Sequence, residues 1–234
     1  MSDVALPALD LITNADQALI RTVDALDDDA YAEPSLLPDW TKGHVIAHLA
    51  LNAEGLERVL TGVHVGEPRT MYDSDDARNN DIDELAVAAP AELRDRLLAG
   101  VTRFSRAAED MHEDDWAARF DRTPGGPSFA VKNIPLMRVR EVEIHHADLG
   151  AGYAAADWSE EFRTLLLESM TRRDHPGPFV ASATDLGRTW QYGDGEGGAV
   201  VTGDSASLGW WLTGRGSGEG LTCDSGALPR IDSW

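Results

Sequence analysis

The chain has 234 residues, of which 42% are hydrophobic, so it is long enough for one or two domains with an ordinary core. Its 20 basic and 41 acidic residues give a formal net charge of −21, and an acidic surface of this size repels phosphate backbones and anionic lipids. No apolar run approaches the roughly 20 residues of a spanning helix, and the first ten residues lack the pattern of a signal peptide. Cys223 is the only cysteine, which excludes an internal disulfide and a Cys-rich zinc module. We therefore expect a soluble, cytoplasmic protein that binds neither nucleic acid nor membrane.

Apolar residues recur at helical spacing in four long segments before Gly150. The first segment covers residues 8–27 and the third covers residues 91–111. Thr41 is a candidate N-cap for the second helix, and Asn133 is a candidate N-cap for the fourth, which ends just before Gly150. Four long helices are the number found in an up-down bundle.

The rest of the chain is less regular. Residues 74–88 predict a short helix or an ordered loop, and the turn-rich loop 121–127 can carry a small hairpin. The pattern changes after residue 150 to a mixture of helix and strand. The predicted elements there are helices at 159–173 and 207–213, strands at 179–184, 188–192 and 199–202, and a small strand near Leu221. We therefore predict a helical bundle over residues 1–150 and a small α+β domain over residues 151–234.

Two histidines, His44 and His48, lie four residues apart in the second helix. This spacing places both rings on one helical face, which suits a divalent metal. The pair is not the HExxH motif of a metalloprotease, because Val45 stands where the general-base glutamate belongs. Such pairs also arise by chance on exposed helices, so His44 and His48 alone are weak evidence for a metal site.

The fourth predicted helix is unusually rich in ionisable residues between Arg138 and Asp148. Glu141, His145 and Asp148 share one face, whereas a bundle helix normally keeps charge off its inner stripe. A carboxylate and an imidazole one turn apart can chelate zinc from one helix. The alternative is an exposed helix with Arg–Glu pairs, and Glu143 and His146 fit that description as surface residues.

The two histidine-bearing helices complement each other. His48, Glu141 and His145 supply three protein ligands, which is the pattern of a catalytic zinc site with an open position. His48 is preferred to His44 because it lies deeper in the apolar part of its helix. Asn52, one turn further on, is expected to face the same cavity.

Other polar residues are less specific. Arg215 follows the helix stop Gly214 in a glycine-rich turn, where an arginine can hold a carboxylate by a bidentate pair. Cys223 is expected to be a small buried or semi-exposed side chain of a late strand. Three further histidines follow helix ends, where a cation meets the helix dipole favourably: His64, His112 and His175.

Four segments of the chain resemble mycothiol-dependent maleylpyruvate isomerases. They are DWTKGHVIAHLALNAEGL, MYDSDDARNNDI, MRVREVEIHHADLG and WLTGRGSG, which occur in the family's order over nearly the whole chain. The resemblance implies a DinB-like four-helix bundle followed by a sterol-carrier-like α+β domain. It places the family's zinc ligands on His48, Glu141 and His145, and its functionally important arginine on Arg215.

The resemblance also implies a reaction. Zinc lowers the pKa of the mycothiol thiol, and the thiolate adds to the cis double bond of maleylpyruvate. The former double bond rotates, and loss of the thiolate leaves fumarylpyruvate, as in gentisate-type aromatic degradation. Arg215 is expected to pair with a carboxylate of the dianionic substrate, and Arg78 is a weaker candidate for the same task.

Two alternative functions remain open at the level of sequence. A mycothiol S-transferase uses the same metal and thiol but consumes the thiol, whereas an isomerase returns it after each turnover. A non-catalytic metal- or thiol-binding protein binds zinc without converting any electrophile, and Arg215 weighs against this reading because a passive site needs no carboxylate anchor. The sequence does not assign an oligomeric state.

Overall fold

The computed structural model describes the backbone of residues 5–232 and the side chains from residue 9 onward. Within this range the chain divides into two compact units, one extending to Tyr153 and the other beginning at Ala154. The first unit is helical with one small hairpin, and the second combines helices with a mixed sheet, which confirms the predicted α plus α+β fold class. No helix of the described residues is both long and apolar enough to cross a membrane.

The first unit contains four long helices and one shorter helix. Their bounds are Ala5–Asp24 (α1), Lys42–His64 (α2), Asp75–Ala86 (α3), Pro90–Glu109 (α4) and Ile134–Asp148 (α5). The polar segment predicted as a short helix or a loop is thus the helix α3. The predicted hairpin is present, with Arg119–Asp121 (β1) paired antiparallel to Ser128–Ala130 (β2).

Of the two predicted N-caps, the one at the start of α2 is present and the one at the start of α5 is not. Thr41 caps α2 as predicted, because its side chain accepts from the backbone N–H of His44. Asn133 precedes α5 but makes no capping hydrogen bond with its side chain. A single 3₁₀ turn, Val131–Asn133, leads directly into α5, so Asn133 already has helical dihedral angles and its side chain cannot serve as an N-cap.

The long helices do not simply alternate in direction. Gly100 of α4 packs against Ala50 and Ala53 of α2, while His64 and His112 meet beyond the ends of the same two helices, so α2 and α4 run parallel. By contrast, α5 runs antiparallel to α2. The simple up-down alternation expected from the helix count is therefore wrong, because the connection that contains α3 returns the chain to the start of α2 before α4 begins.

The second unit has a four-stranded sheet covered by two helices. The helices are Glu160–Met170 (α6) and Ser205–Leu212 (α7), and the strands are Phe179–Ala183 (β3), Arg188–Tyr192 (β4), Ala199–Gly203 (β5) and Thr222–Cys223 (β6). The strand order is β4-β3-β5-β6, in which β3 and β5 are parallel and the other pairs are antiparallel. Cys223 is half-buried in β6, as predicted.

Candidate metal centre

Three side chains from two antiparallel helices meet inside the first unit. His48 lies in the middle of α2, and Glu141 and His145 lie one turn apart on α5. The Oε2 atom of Glu141 is 2.7 Å from Nε2 of His48 and 3.4 Å from Nε2 of His145. Both imidazoles are buried, with exposed fractions of 4% and 8%, and their rings meet edge to face at 4.7 Å. The spatial cluster unites residues 93 positions apart in the sequence.

The outer nitrogen of each imidazole is held by a neighbouring side chain. Nδ1 of His145 is 2.8 Å from a carboxylate oxygen of the buried Asp148, so this nitrogen donates to Asp148 while Nε2 faces Glu141. Nδ1 of His48 is 3.1 Å from Nη2 of Arg78. Because a guanidinium only donates, Nδ1 of His48 accepts, and its ring proton lies on Nε2 facing Glu141.

The charges in this cluster favour a cation. Burial lowers the pKa of His48 to about 4, against the opposing effect of Glu141, so this imidazole is neutral at pH 7. Burial raises the pKa of Glu141, but hydrogen bonds from His145 and His48 outweigh it and hold that pKa well below its usual range. For His145, burial lowers the pKa, yet the hydrogen bonds to Asp148 and Glu141 raise it overall. An ionised carboxylate thus faces two imidazoles inside the unit, and this arrangement favours a cation.

These residues fit a zinc ion. One nitrogen of each histidine and one carboxylate oxygen all lie within 4.8 Å of one another, and two nitrogens with one oxygen form a donor set that zinc accepts. The Asp148–His145 pair is the carboxylate–histidine arrangement that orients a metal-bound imidazole. Three ligands leave one position for an exogenous group.

His44 has a different task. Its Nδ1 accepts from the backbone N–H of Thr41 at 3.2 Å and lies 2.7 Å from the Thr41 hydroxyl, which completes the cap of α2. Its Nε2 is 3.8 Å from Asp83. The ring is thus engaged at the start of the helix, one turn away from the cluster that contains His48.

Asn52 belongs to a buried network around Arg138. The guanidinium of Arg138 is fully buried and donates to Oδ1 of Asn52, to the carbonyl of Leu49 and to the carboxylate of Asp16. These contacts tie α1, α2 and α5 together. The side-chain oxygen of Asn52 is therefore used by Arg138, a partner that the sequence analysis did not identify.

Glu143 and His146 are buried, with exposed fractions of 5% and 1%, so the expectation that they are surface residues is wrong. Tyr153 donates to Glu143 and stacks on the ring of His146 at 3.7 Å, and His146 is 2.7 Å from the hydroxyl of Thr22 on α1. The side of α5 that carries Glu143 and His146 is covered by α1. Helical periodicity alone does not show which neighbouring helix covers a polar face.

A small pocket lined by Tyr72, Arg78 and Arg58 among others lies beside the cluster, because Arg78 also contacts His48. The ring of Tyr72 is flanked by Arg78 and Arg122, whose guanidinium carbons lie 5.8 and 5.3 Å from its centroid. Burial raises the pKa of Tyr72, and the nearby negative charge of Glu141 raises it further. Tyr72 was not among the predicted site residues, although it lies in one of the segments that resemble the family.

Arg215 lies in the second unit. It is half-buried in the turn after α7, and its Nη1 donates to the carbonyl of Thr213 at 2.9 Å. Burial lowers the pKa of Arg173, and the positive charge of Arg215 lowers it further, although Asp232 opposes both effects. Two arginines therefore lie close together in this unit, and Arg173 carries no motif by which the sequence could have shown it.

Comparisons with known proteins agree with this description. Two crystal structures of the mycothiol-dependent maleylpyruvate isomerase, one of them of a histidine-to-alanine mutant, match with a TM-score of 0.88. Their sequence identities are 29% and, for the mutant, 28%, and each match covers 98% of this chain and 97% of the other. The comparison with curated proteins gave no match.

The family model of the mycothiol maleylpyruvate isomerase N-terminal domain matches residues 12–150, which include His48, Glu141 and His145. This match covers more than half of the chain and confirms the resemblance found in the sequence. The chain belongs to the mycothiol maleylpyruvate isomerase family.

Proposed function

We propose that the chain is a zinc- and mycothiol-dependent isomerase that converts maleylpyruvate to fumarylpyruvate. The observation that carries the proposal is the cluster of His48, Glu141 and His145, in a chain whose fold matches mycothiol-dependent maleylpyruvate isomerase over nearly its whole length. A bound zinc ion would lower the pKa of the mycothiol thiol and so supply a thiolate for reversible addition to a cis double bond.

The residues of the first unit would hold the metal in a defined way. Nε2 of each histidine and Oε2 of Glu141 face one another and are the proposed ligand atoms. Asp148 would fix the ring of His145 and keep its proton on Nδ1. The two imidazoles are buried, and a low-dielectric environment would strengthen the electrostatic interactions of a thiolate held there.

Arg78 would exchange partners when the metal binds. If Nε2 of His48 held a metal ion, the proton of the neutral ring would lie on Nδ1. Nδ1 could then no longer accept from Arg78, and the guanidinium would lose this hydrogen bond. We therefore propose that Arg78, which lines the adjacent cavity, then binds a carboxylate of the substrate.

Arg215 is the proposed anchor for a substrate carboxylate in the second unit. It lies in a glycine-rich turn between Gly214 and Gly216, whose φ angles of 77° and 65° favour glycine. The nearby Arg173 adds positive charge. Two cationic side chains in a protein of net charge −21 are suited to attracting a dianion.

The direct test is isomerisation of maleylpyruvate by zinc-loaded protein, with and without catalytic amounts of mycothiol. Fumarylpyruvate and free thiol are followed together. We expect product to form only in the presence of mycothiol, while the concentration of free thiol stays unchanged. Loss of thiol in step with substrate would indicate the S-transferase instead, and zinc binding without conversion of any electrophile would indicate a binding protein.

Substitution of Arg215 tests the anchor separately. Arg215→Ala removes the proposed carboxylate pair, which is a charge-assisted contact, so we expect kcat/KM to fall about 10- to 100-fold. Arg215→Lys should recover part of the loss because it keeps the charge but not the planar fork. Unchanged kinetics of both variants, with zinc content equal to that of the parent protein, would remove Arg215 from the proposed site.

A further inference from the structure

A second group of metal-binding side chains lies at the far end of the first unit. His64 is the last residue of α2, and His112 and Asp115 lie in the turn after α4. Nδ1 of His64 is 3.0 Å from Oδ2 of Asp115, and Nδ1 of His112 is 4.0 Å from the same oxygen. The two imidazole rings are 4.7 Å apart. One possible ligand atom from each residue lies within 4.8 Å of the other two.

The parallel packing of α2 and α4 creates this group. Because both helices point the same way, their C-terminal ends lie side by side, and residues 51 positions apart in the sequence come into contact. The group is distinct from the centre at His48, since 16 residues of α2 separate His64 from His48, or about 24 Å along the helix.

We propose that His64, His112 and Asp115 form a second site, which binds a divalent transition-metal cation such as Zn²⁺. Two imidazoles and one carboxylate are ligand types that zinc accepts, and three protein ligands leave the remaining positions to water. No part of the isomerase mechanism uses these residues, so the site does not depend on the proposed reaction.

The surroundings of the three side chains suit entry of a cation. Their exposed fractions are 29% for His64, 78% for His112 and 17% for Asp115, so solvent reaches the group. Asp115 accepts hydrogen bonds from His64 and from the backbone N–H of His112, which hold its carboxylate beside both histidines. The net charge of −21 adds a long-range attraction for cations.

The distances require only a small adjustment. Ligand atoms around a tetrahedral zinc ion lie about 3.3 Å apart, since Zn–N bonds are about 2.0–2.1 Å long. His64 and Asp115 already approach that separation, and the exposed His112 can turn towards them. A bound cation would then join the end of α2 to the turn after α4.

The test measures Zn²⁺ binding to the full chain after removal of any affinity tag. A His48→Ala/His145→Ala variant lacks two ligands of the first centre, so the second site can be titrated alone. We expect this variant to bind one Zn²⁺ per chain, and further substitution of His112→Ala to weaken that binding at least tenfold. Equal Zn²⁺ affinity with and without His112→Ala would overturn the proposal.

Two controls separate this result from changes in folding and from the proposed function. In the otherwise unchanged chain, His112→Ala should reduce bound Zn²⁺ from two to one per chain and leave isomerase activity intact, whereas the matched change His175→Ala should reduce neither. Asp115→Asn keeps an oxygen for the turn but removes the charge, and should weaken the second site alone. Unchanged stoichiometry in both His112→Ala and Asp115→Asn would refute the site even if the chain proves to be an isomerase.

Discussion

At the scale of single residues, the candidate metal centre depends on which atom of each imidazole is already occupied. His145 has its Nδ1 on Asp148, whereas His44 has its Nδ1 on the cap of α2. The same residue type thus serves as a proposed ligand in one place and as a helix cap in another. The difference lies in the hydrogen-bond partner, which the sequence spacing does not reveal.

The first prediction follows from these partners. His48→Ala and His145→Ala should each abolish most zinc binding at the centre formed by His48, Glu141 and His145, because two remaining ligands hold zinc poorly, while His44→Ala should leave zinc content unchanged. Asp148→Asn should reduce zinc affinity about 10- to 100-fold by loosening the ring of His145. Zinc content after dialysis and a competitive titration measure both effects. A loss with His44→Ala as large as with His48→Ala would contradict this assignment of ligands.

The second prediction concerns the buried carboxyl of Glu143. Burial and, less strongly, the negative charge of Asp16 raise its pKa to about 7, against the opposing effect of the hydrogen bond from Tyr153. The folded state therefore favours the protonated carboxyl of Glu143. The free energy of unfolding falls as the pH rises from the pKa of the unfolded chain, 4.5, through the pKa of the folded protein, about 7. The loss is roughly 3 kcal/mol, at about 1.4 kcal/mol per pKa unit.

Glu143→Gln removes this titration but keeps an oxygen that accepts from Tyr153. We therefore expect the variant to gain stability relative to the parent protein between pH 5 and pH 8, as measured by urea unfolding. The exposed Glu92→Gln is the control and should show no such gain. A stability difference between Glu143→Gln and the parent that is the same at both pH values would disprove the assigned titration.

At the scale of elements, the helices of the first unit are joined by buried polar contacts as well as by apolar packing. Arg138 of α5 reaches Asp16 of α1 and two acceptors on α2 while lying under the ring of Phe104 of α4. All four long helices thus meet at one guanidinium. The network fixes their register near the metal centre, because Arg138 precedes Glu141 by one turn on the same helix.

The third prediction tests this network. Arg138→Leu leaves the carboxylate of Asp16 buried without its counter-charge, so we expect a loss of about 3–5 kcal/mol in the free energy of unfolding. Adding Asp16→Asn should restore part of that loss by removing the uncompensated charge. Chemical unfolding of both variants measures the effect, and a double variant no more stable than Arg138→Leu would argue against an ion pair as the cause.

At the scale of the whole molecule, the proposed metal ligands and the proposed anchor Arg215 belong to different compact units. The fourth prediction uses this division. A fragment of residues 1–153 should fold and bind zinc, since its ligands and core are internal to that unit, but should lack isomerase activity because Arg215 is absent. Circular dichroism, zinc content and the isomerisation assay test the three expectations. Full activity of the fragment would remove the second unit from the reaction.

Local patterns in the sequence determined the helices, the hairpins and the ligands proposed here. Helical periodicity and capping chemistry act over a few residues. The cap at Thr41 and the apolar spacing of α2 can therefore be recognised without a structure. The i, i+4 spacing likewise places Glu141 and His145 on one face of a helix. The glycine-rich turn at Gly214 made Arg215 only a weak candidate, and the resemblance to the family strengthened it.

The tertiary structure alone decided the features that depend on contacts between distant segments. The parallel course of α2 and α4, the burial of Glu143 and His146 and the grouping of His64 with His112 all depend on how the helices pack. Helical periodicity specifies which face of a helix is apolar but not which neighbour covers it, and a polar residue under a neighbouring helix has the same sequence pattern as one in water. The tertiary structure was therefore needed to identify the partners of Arg138, Glu143 and His64.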